Sequence, residues 1–126
     1  MNLYVLVEGE ETEMQVYSRW IEHLLGFKKI KTPQDAEQQD YYLVCGFGYP
    51  NILEHELPNA IATVNDNSHK FNYLVLCLDS EEGSIKDRID EVSEVIRKQK
   101  LRLEEFCSLE IIVQHRCMET WFLGNK

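Results

Sequence analysis

The run Leu3-Tyr4-Val5-Leu6-Val7, followed at once by Glu8-Gly9-Glu10-Glu11-Thr12-Glu13, decides the fold. An unbroken apolar run without polar alternation reads as a strand buried on both faces, as at the centre of a parallel sheet. A helical pattern comes next. Tyr17, Trp20, Ile21, Leu24 and Leu25 recur at three- and four-residue steps, and Gly26 stands where a C-terminal cap is expected. Thr12-Glu13-Met14-Gln15 has the form of a capping box, which places the helix start near Glu13.

Outward from this unit, the same alternation repeats. Residues 27–40 begin with Lys28, Lys29 and Lys31 and turn polar without a period, so an exposed, mobile loop is expected there. Residues 41–47 read as a second strand. A helix follows over 51–64 with Ile52, Leu53, Leu57, Ile61 and Val64 at helical spacing, and Pro58 must start or kink part of it. Residues 72–78 form a third apolar run that ends on Asp79, and 84–100 form a helix with Ile85, Ile89, Val92 and Ile96 on one face. Residues 109–113 supply a fourth run, after which Met118, Trp121 and Phe122 suggest a helix beginning near Arg116. Strands alternating with helices predict an α/β fold: a three-layer, Rossmann-like, mostly parallel four-stranded sheet with right-handed crossovers.

Composition narrows the class. A chain of 126 residues suits one domain, and 44% hydrophobic with 28% charged residues argues against disorder. Against 13 Lys and Arg stand 22 Asp and Glu, a net charge of −9, so the isolated chain repels a polyanion at long range. The opening run is too short for a signal peptide, and no stretch approaches the roughly 20 apolar residues of a membrane span. A cytoplasmic protein without a membrane association is expected. Cys45, Cys77, Cys107 and Cys117 form no C-x-x-C pair, which suits reduced thiols rather than a zinc site, and His23, His55, His69 and His115 show no ligand spacing. Serine-hydrolase, dinucleotide and P-loop motifs are absent from the sequence.

The chemical signal is acidic. Ligands of open α/β sheets bind beyond the carboxyl ends of the strands, and the residues there are repeatedly carboxylates. Glu8 to Glu13 follow the first strand, Asp79-Ser80-Glu81-Glu82 follow the third, and Glu119 comes shortly after the last. Hard divalent cations take oxygen ligands of this kind, completed by water and substrate phosphate. Convergent Glu8, Asp79 and Glu81 would hold such an ion. Glu10, Glu11 and Glu13 also suit the first turn of a helix through the dipole alone. Gly9 lets the backbone enter a tight strand-to-helix turn.

These residues resemble a toprim domain, marked by a Glu-Gly turn after strand one and an Asp-x-Asp after strand three. Here Glu8-Gly9 and Asp79-Ser80-Glu81 take those places, with Glu81 in place of the second aspartate. The chain is more closely similar to the RloB-like toprim group, related to the overcoming-lysogenization-defect nucleases of prokaryotic defence systems. Glu8-Gly9-Glu10-Glu11-Thr12-Glu13 and Glu119-Thr120-Trp121-Phe122-Leu123 carry that likeness.

The resemblance implies one toprim-like domain over 1–126, with similar proteins continuing into more helix beyond the position of Lys126. It implies a Mg²⁺- or Mn²⁺-dependent endonuclease acting on DNA or RNA, an effector subunit of an anti-phage or restriction-associated complex. Glu8 would be the general acid/base or a metal ligand, Asp79 and Glu81 would hold the metal, and Glu13 and Glu119 would be further ligands. Two metals would clamp the attacking and leaving oxygens of a phosphodiester. The net charge then calls for a protein partner or oligomer to supply basic surface, or for a local patch at Lys28, Lys29 and Lys31. Two other readings stay open: a toprim-like interaction module without catalysis, and a receiver-like Mg²⁺-binding domain with Asp79 as phosphoacceptor.

Overall fold

In the computed structural model, β1 (Leu3–Val7), β2 (Lys28–Lys29), β3 (Asp40–Cys45), β4 (Tyr73–Asp79) and β5 (Ser108–Gln114) form one all-parallel sheet in the order β2-β3-β1-β4-β5. The structure describes residues 1–9, 11–79 and 85–114, and within them every side chain except those of residues 11–13, 79, 85 and 114. β1 is central: Leu3 is level with Tyr41 on one side and Tyr73 on the other. Every residue of β1 is buried, as the unbroken apolar run requires.

Period-two alternation divides these strands between two cores. Tyr4, Leu6, Leu74, Leu76 and Leu78 face α2 (Leu57–Asp66) and α3 (Ile85–Lys98), where Leu57, Ile61, Val64 and Val92 complete the layer. Leu3, Val5, Val7, Leu43 and Cys77 face α1 (Glu11–Trp20), which contributes Tyr17 and is followed by Ile21. Each such Leu, Val or Ile contributes about 1.5–3 kcal/mol by leaving water. The result is an α/β fold of three layers, with helices on both faces of a parallel sheet.

Helix ends differ from the sequence pattern in detail. α1 begins at Glu11, so Thr12 lies in its first turn rather than capping it. A π-helical turn, Ile21–Leu25, extends α1 and stops at Gly26, whose φ of 69° is the left-handed cap expected there. A second π-helical turn, Ile52–Glu56, runs directly into α2, and Pro58, which has no N–H to bond back into that turn, leaves the Glu54 carbonyl to accept from the Gln99 side-chain amide at 3.4 Å.

The largest departure is at residues 27–40. Instead of an unstructured loop, Lys28 and Lys29 form an edge strand paired with Asp40 and Tyr41, giving five strands rather than four. A 3₁₀ turn, Pro33–Asp35, follows, and Phe27 and Ala36 are buried. Asn2 organises this segment. Its buried amide nitrogen donates to the carbonyls of Glu37 (3.2 Å) and Lys70 (2.7 Å), and its side-chain oxygen accepts from the Asp40 N–H at 2.9 Å. The helix expected near Arg116 lies outside the described residues. Among the described residues no helix is long and apolar enough to cross a membrane.

Candidate functional site at the carboxyl edge of the sheet

The connections leaving β1 and β4 diverge. From β1 the chain runs through α1 on one face to β2, beyond β3, and from β4 it runs through α3 on the other face to β5. The crevice between the carboxyl ends of β1 and β4 is therefore the topological switch point, where open α/β sheets bind ligands.

Glu8 and Asp79 stand at that point. Val7 is level with Cys77, and the Glu8 N–H continues the ladder by donating to the Cys77 carbonyl at 3.1 Å. Asp79 ends β4, two residues past Cys77 and level with Gln114 of β5. Their backbones thus sit on neighbouring strands about one residue step apart, ~3.3 Å along and ~4.8 Å across the sheet. Glu8 is half-buried.

Residues 46–51 close one side of the crevice. The Gly46 N–H donates to the Val7 carbonyl (2.6 Å) and the Gly48 N–H to the Glu8 carbonyl (2.8 Å), while the Cys45 thiol donates to the Gly9 carbonyl at 2.9 Å. The Asn51 side-chain amide donates to the Gly46 carbonyl at 2.8 Å. Glycine is required at 46 for space: a Cβ there would lie 2.5 Å from Cγ1 of the fully buried Ile52. Gly48 is required for conformation, with φ at 82°. Between them Phe47 also adopts positive φ, 57°, and is 68% exposed.

Tyr49 joins this loop to α3. Its ring carries the Arg88 guanidinium at 4.1 Å, its hydroxyl bonds the Glu91 carboxylate, and Arg88 and Glu91 pair at 3.5 Å. The bond to Glu91 is the main reason the Tyr49 hydroxyl titrates above its ordinary range. The sequence pattern pointed to the acids and passed over this wall. The glycines bracketing Phe47 just after an apolar run were the signal that could have marked it.

The remaining expected ligands are placed only in part. Glu13 lies in the first turns of α1, which follows directly on the Glu8-Gly9 turn. The side chains of Glu13 and Asp79, and Glu81 and Glu119 entirely, lie outside what the structure describes. Among the described residues no group of three His, Cys, Asp or Glu side chains stands close enough to hold a metal ion. The donor chemistry still fits: two carboxylate-bearing positions at adjacent strand ends suit a hard cation that keeps several waters. Cys45, Cys77 and Cys107 form no disulfide; Cys77 and Cys107 are buried, and burial pushes the Cys107 thiol up to about 11.

Lys28 and Lys29 are exposed but pair with Asp40 and Tyr41, at the amino end of β3. They therefore lie toward the opposite edge of the sheet from Glu8. No family model matches the chain, and no curated protein or solved structure matches it significantly.

Proposed function

We propose that the chain is a metal-dependent nuclease of toprim type, hydrolysing phosphodiesters of DNA or RNA, and the effector subunit of a prokaryotic defence complex of the RloB-like kind. One observation carries the chemistry: Glu8 and Asp79 end neighbouring central strands on either side of the switch point. The likeness of the Glu8-Gly9 and Asp79-Ser80-Glu81 motifs to toprim domains supplies the reaction class.

In this reading Asp79 and Glu81 hold Mg²⁺ or Mn²⁺, with Glu13 and Glu119 as further ligands. The bound cation would lower the barrier by polarising a phosphoryl oxygen. Glu8 binds the same cation or moves the proton between water and the leaving oxygen. The 46–51 loop, bonded to the Val7 and Glu8 carbonyls, and the Cys45 thiol, bonded to the Gly9 carbonyl, hold the Glu8 backbone in place while this happens.

With a net charge of −9 and its exposed lysine pair toward the other edge, the chain by itself makes few phosphate contacts, and a partner or another copy adds to them. A receiver-like role for Asp79 asks for a lysine at the end of a fifth strand, and β5 contains none.

The test is cleavage of plasmid, single-stranded DNA and RNA with Mg²⁺ or Mn²⁺ by the purified chain. Glu8→Gln and Asp79→Ala should each lower the rate at least about a hundredfold while leaving the circular dichroism spectrum unchanged. Undiminished cleavage by both variants refutes the assignment, and labelling of Asp79 by acetyl phosphate would favour the receiver-like alternative.

A further inference from the structure

Phe47 costs the fold stability and gives it little burial in return. It is a large apolar side chain, 68% exposed, on a residue at φ 57°, a region that side chains with a Cβ enter at a cost of about 1–2 kcal/mol. Glycine already occupies both neighbouring positions, so the loop had a strain-free residue to hand for position 47 as well. The conformation is nonetheless held. The Phe47 N–H donates to the Cys45 sulfur at 3.4 Å, and the flanking Gly46 and Gly48 amides are bonded to Val7 and Glu8. The second aromatic of the loop, Tyr49, is 46% exposed and fixed from behind by Arg88 and Glu91.

We propose that Phe47 is a stacking platform for an unpaired nucleobase, which makes the preferred substrate single-stranded nucleic acid. This rests on the nuclease reading for its ligand class. Two observations point to it. The platform is tied by backbone hydrogen bonds to the residue proposed to act on the phosphodiester, so a base resting on Phe47 places its strand at the switch point. And a chain with a net charge of −9 gains little from phosphate contacts, whereas stacking on a base face is a contact that needs no positive side chain. In a duplex those faces are already stacked on one another and are closed to Phe47.

Binding is measured apart from cleavage, with all divalent metal chelated, by fluorescence anisotropy of labelled oligodeoxyadenylate and oligoadenylate, single-stranded and annealed to oligothymidylate. The wild-type chain should prefer the single strands and show a shallow dependence on salt. Phe47→Ala should weaken single-strand binding roughly five- to hundredfold, and Phe47→Trp should retain it. Phe47→Gly separates folding from binding: it relieves the backbone strain and keeps or raises the melting temperature, yet binds as weakly as Phe47→Ala. The proposal is overturned if Phe47→Ala binds like wild type, if the wild type favours the duplex or binds no single strand, or if the substitution abolishes only self-association in sedimentation. Binding that depends on Phe47 in a chain that never cleaves would overturn the nuclease reading alone.

Discussion

The Glu8 amide donates to the Cys77 carbonyl at 3.1 Å, carrying the β1–β4 ladder one residue beyond Val7 and setting Glu8 beside the end of β4. A metal bound there links the two strand ends only in the folded chain, so it stabilises the native state by mass action. At a hundred times its dissociation constant an ion adds about 2.7 kcal/mol. Millimolar Mg²⁺ or Mn²⁺ should therefore raise the melting temperature of the wild type, and Glu8→Gln should remove most of the rise. An equal rise in both proteins would place the ion elsewhere.

Gly46 faces Ile52 with no room for a methyl group. A Cβ at position 46 would meet Cγ1, Cδ1 and Cβ of Ile52 at 2.5, 2.7 and 2.8 Å, and Ile52 is fully buried in the α2 layer. Gly46→Ala should cost about 1–3 kcal/mol through overpacking, read as a lower urea midpoint. Because the clash is with one side chain, Ile52→Ala combined with Gly46→Ala should cost less than the two changes added. Strict additivity would show that the strain lies in the backbone instead.

Asn2 supplies a second test in a different part of the fold. Its side chain satisfies the Glu37 and Lys70 carbonyls and the buried Asp40 N–H, and its own N–H donates to Asn72 Oδ1 at 2.9 Å. Asn2→Ala keeps the backbone bond but strands the two carbonyls and the Asp40 N–H, and should destabilise by at least about 2 kcal/mol. Amide exchange at Asp40 should accelerate with it. Asn2→Asp keeps the shape but loses both donors and buries a charge, so it should do no better than alanine.

These residues also show what the amino-acid pattern could reveal. β1, β3 and β4 were legible because burial within the sheet demands nearly continuous apolar runs, the edge strand β5 because it keeps a short β-branched run from Ile111 to Val113, and α1 to α3 because one buried stripe recurs with the helical period. β2 was not, because an edge strand of two lysines is indistinguishable from a charged loop until its partner is known. The order in residues 27–40 comes from Asn2, a polar residue distant in sequence, and leaves no local period. At the site, Glu8 and Asp79 could be found because strand ends can be found. Of the wall formed by residues 46–51 and Arg88, only the Gly46 and Gly48 pair left a mark in the sequence, since its placement depends on hydrogen bonds from the loop to Val7 and Glu8 and on the packing of α3 against the loop.

The two cores predict an alkaline limit to stability. Tyr4 is packed edge-on against Tyr42 and Phe71, with centroids at 5.2 and 5.6 Å, and Tyr41 lies fully buried with its hydroxyl bonded to Glu22. Burial, reinforced for Tyr41 by the Glu22 carboxylate, pushes both hydroxyls from 10.0 up to about 12. Between those values the native state holds protons that the unfolded chain has released, so the stability from keeping both rings neutral is complete below pH 10 and falls as pH rises toward 12. Each tyrosine contributes a slope of about 1.4 kcal/mol per pH unit. Urea midpoints measured at successive pH should therefore decline steeply above 10, and Tyr41→Phe should be less stable at neutral pH but decline less steeply. Absorbance titration of the native protein should show tyrosinate forming in separate exposed and buried steps. A single step near 10, with all 6 tyrosines titrating together, would show that neither ring is shielded as its packing requires.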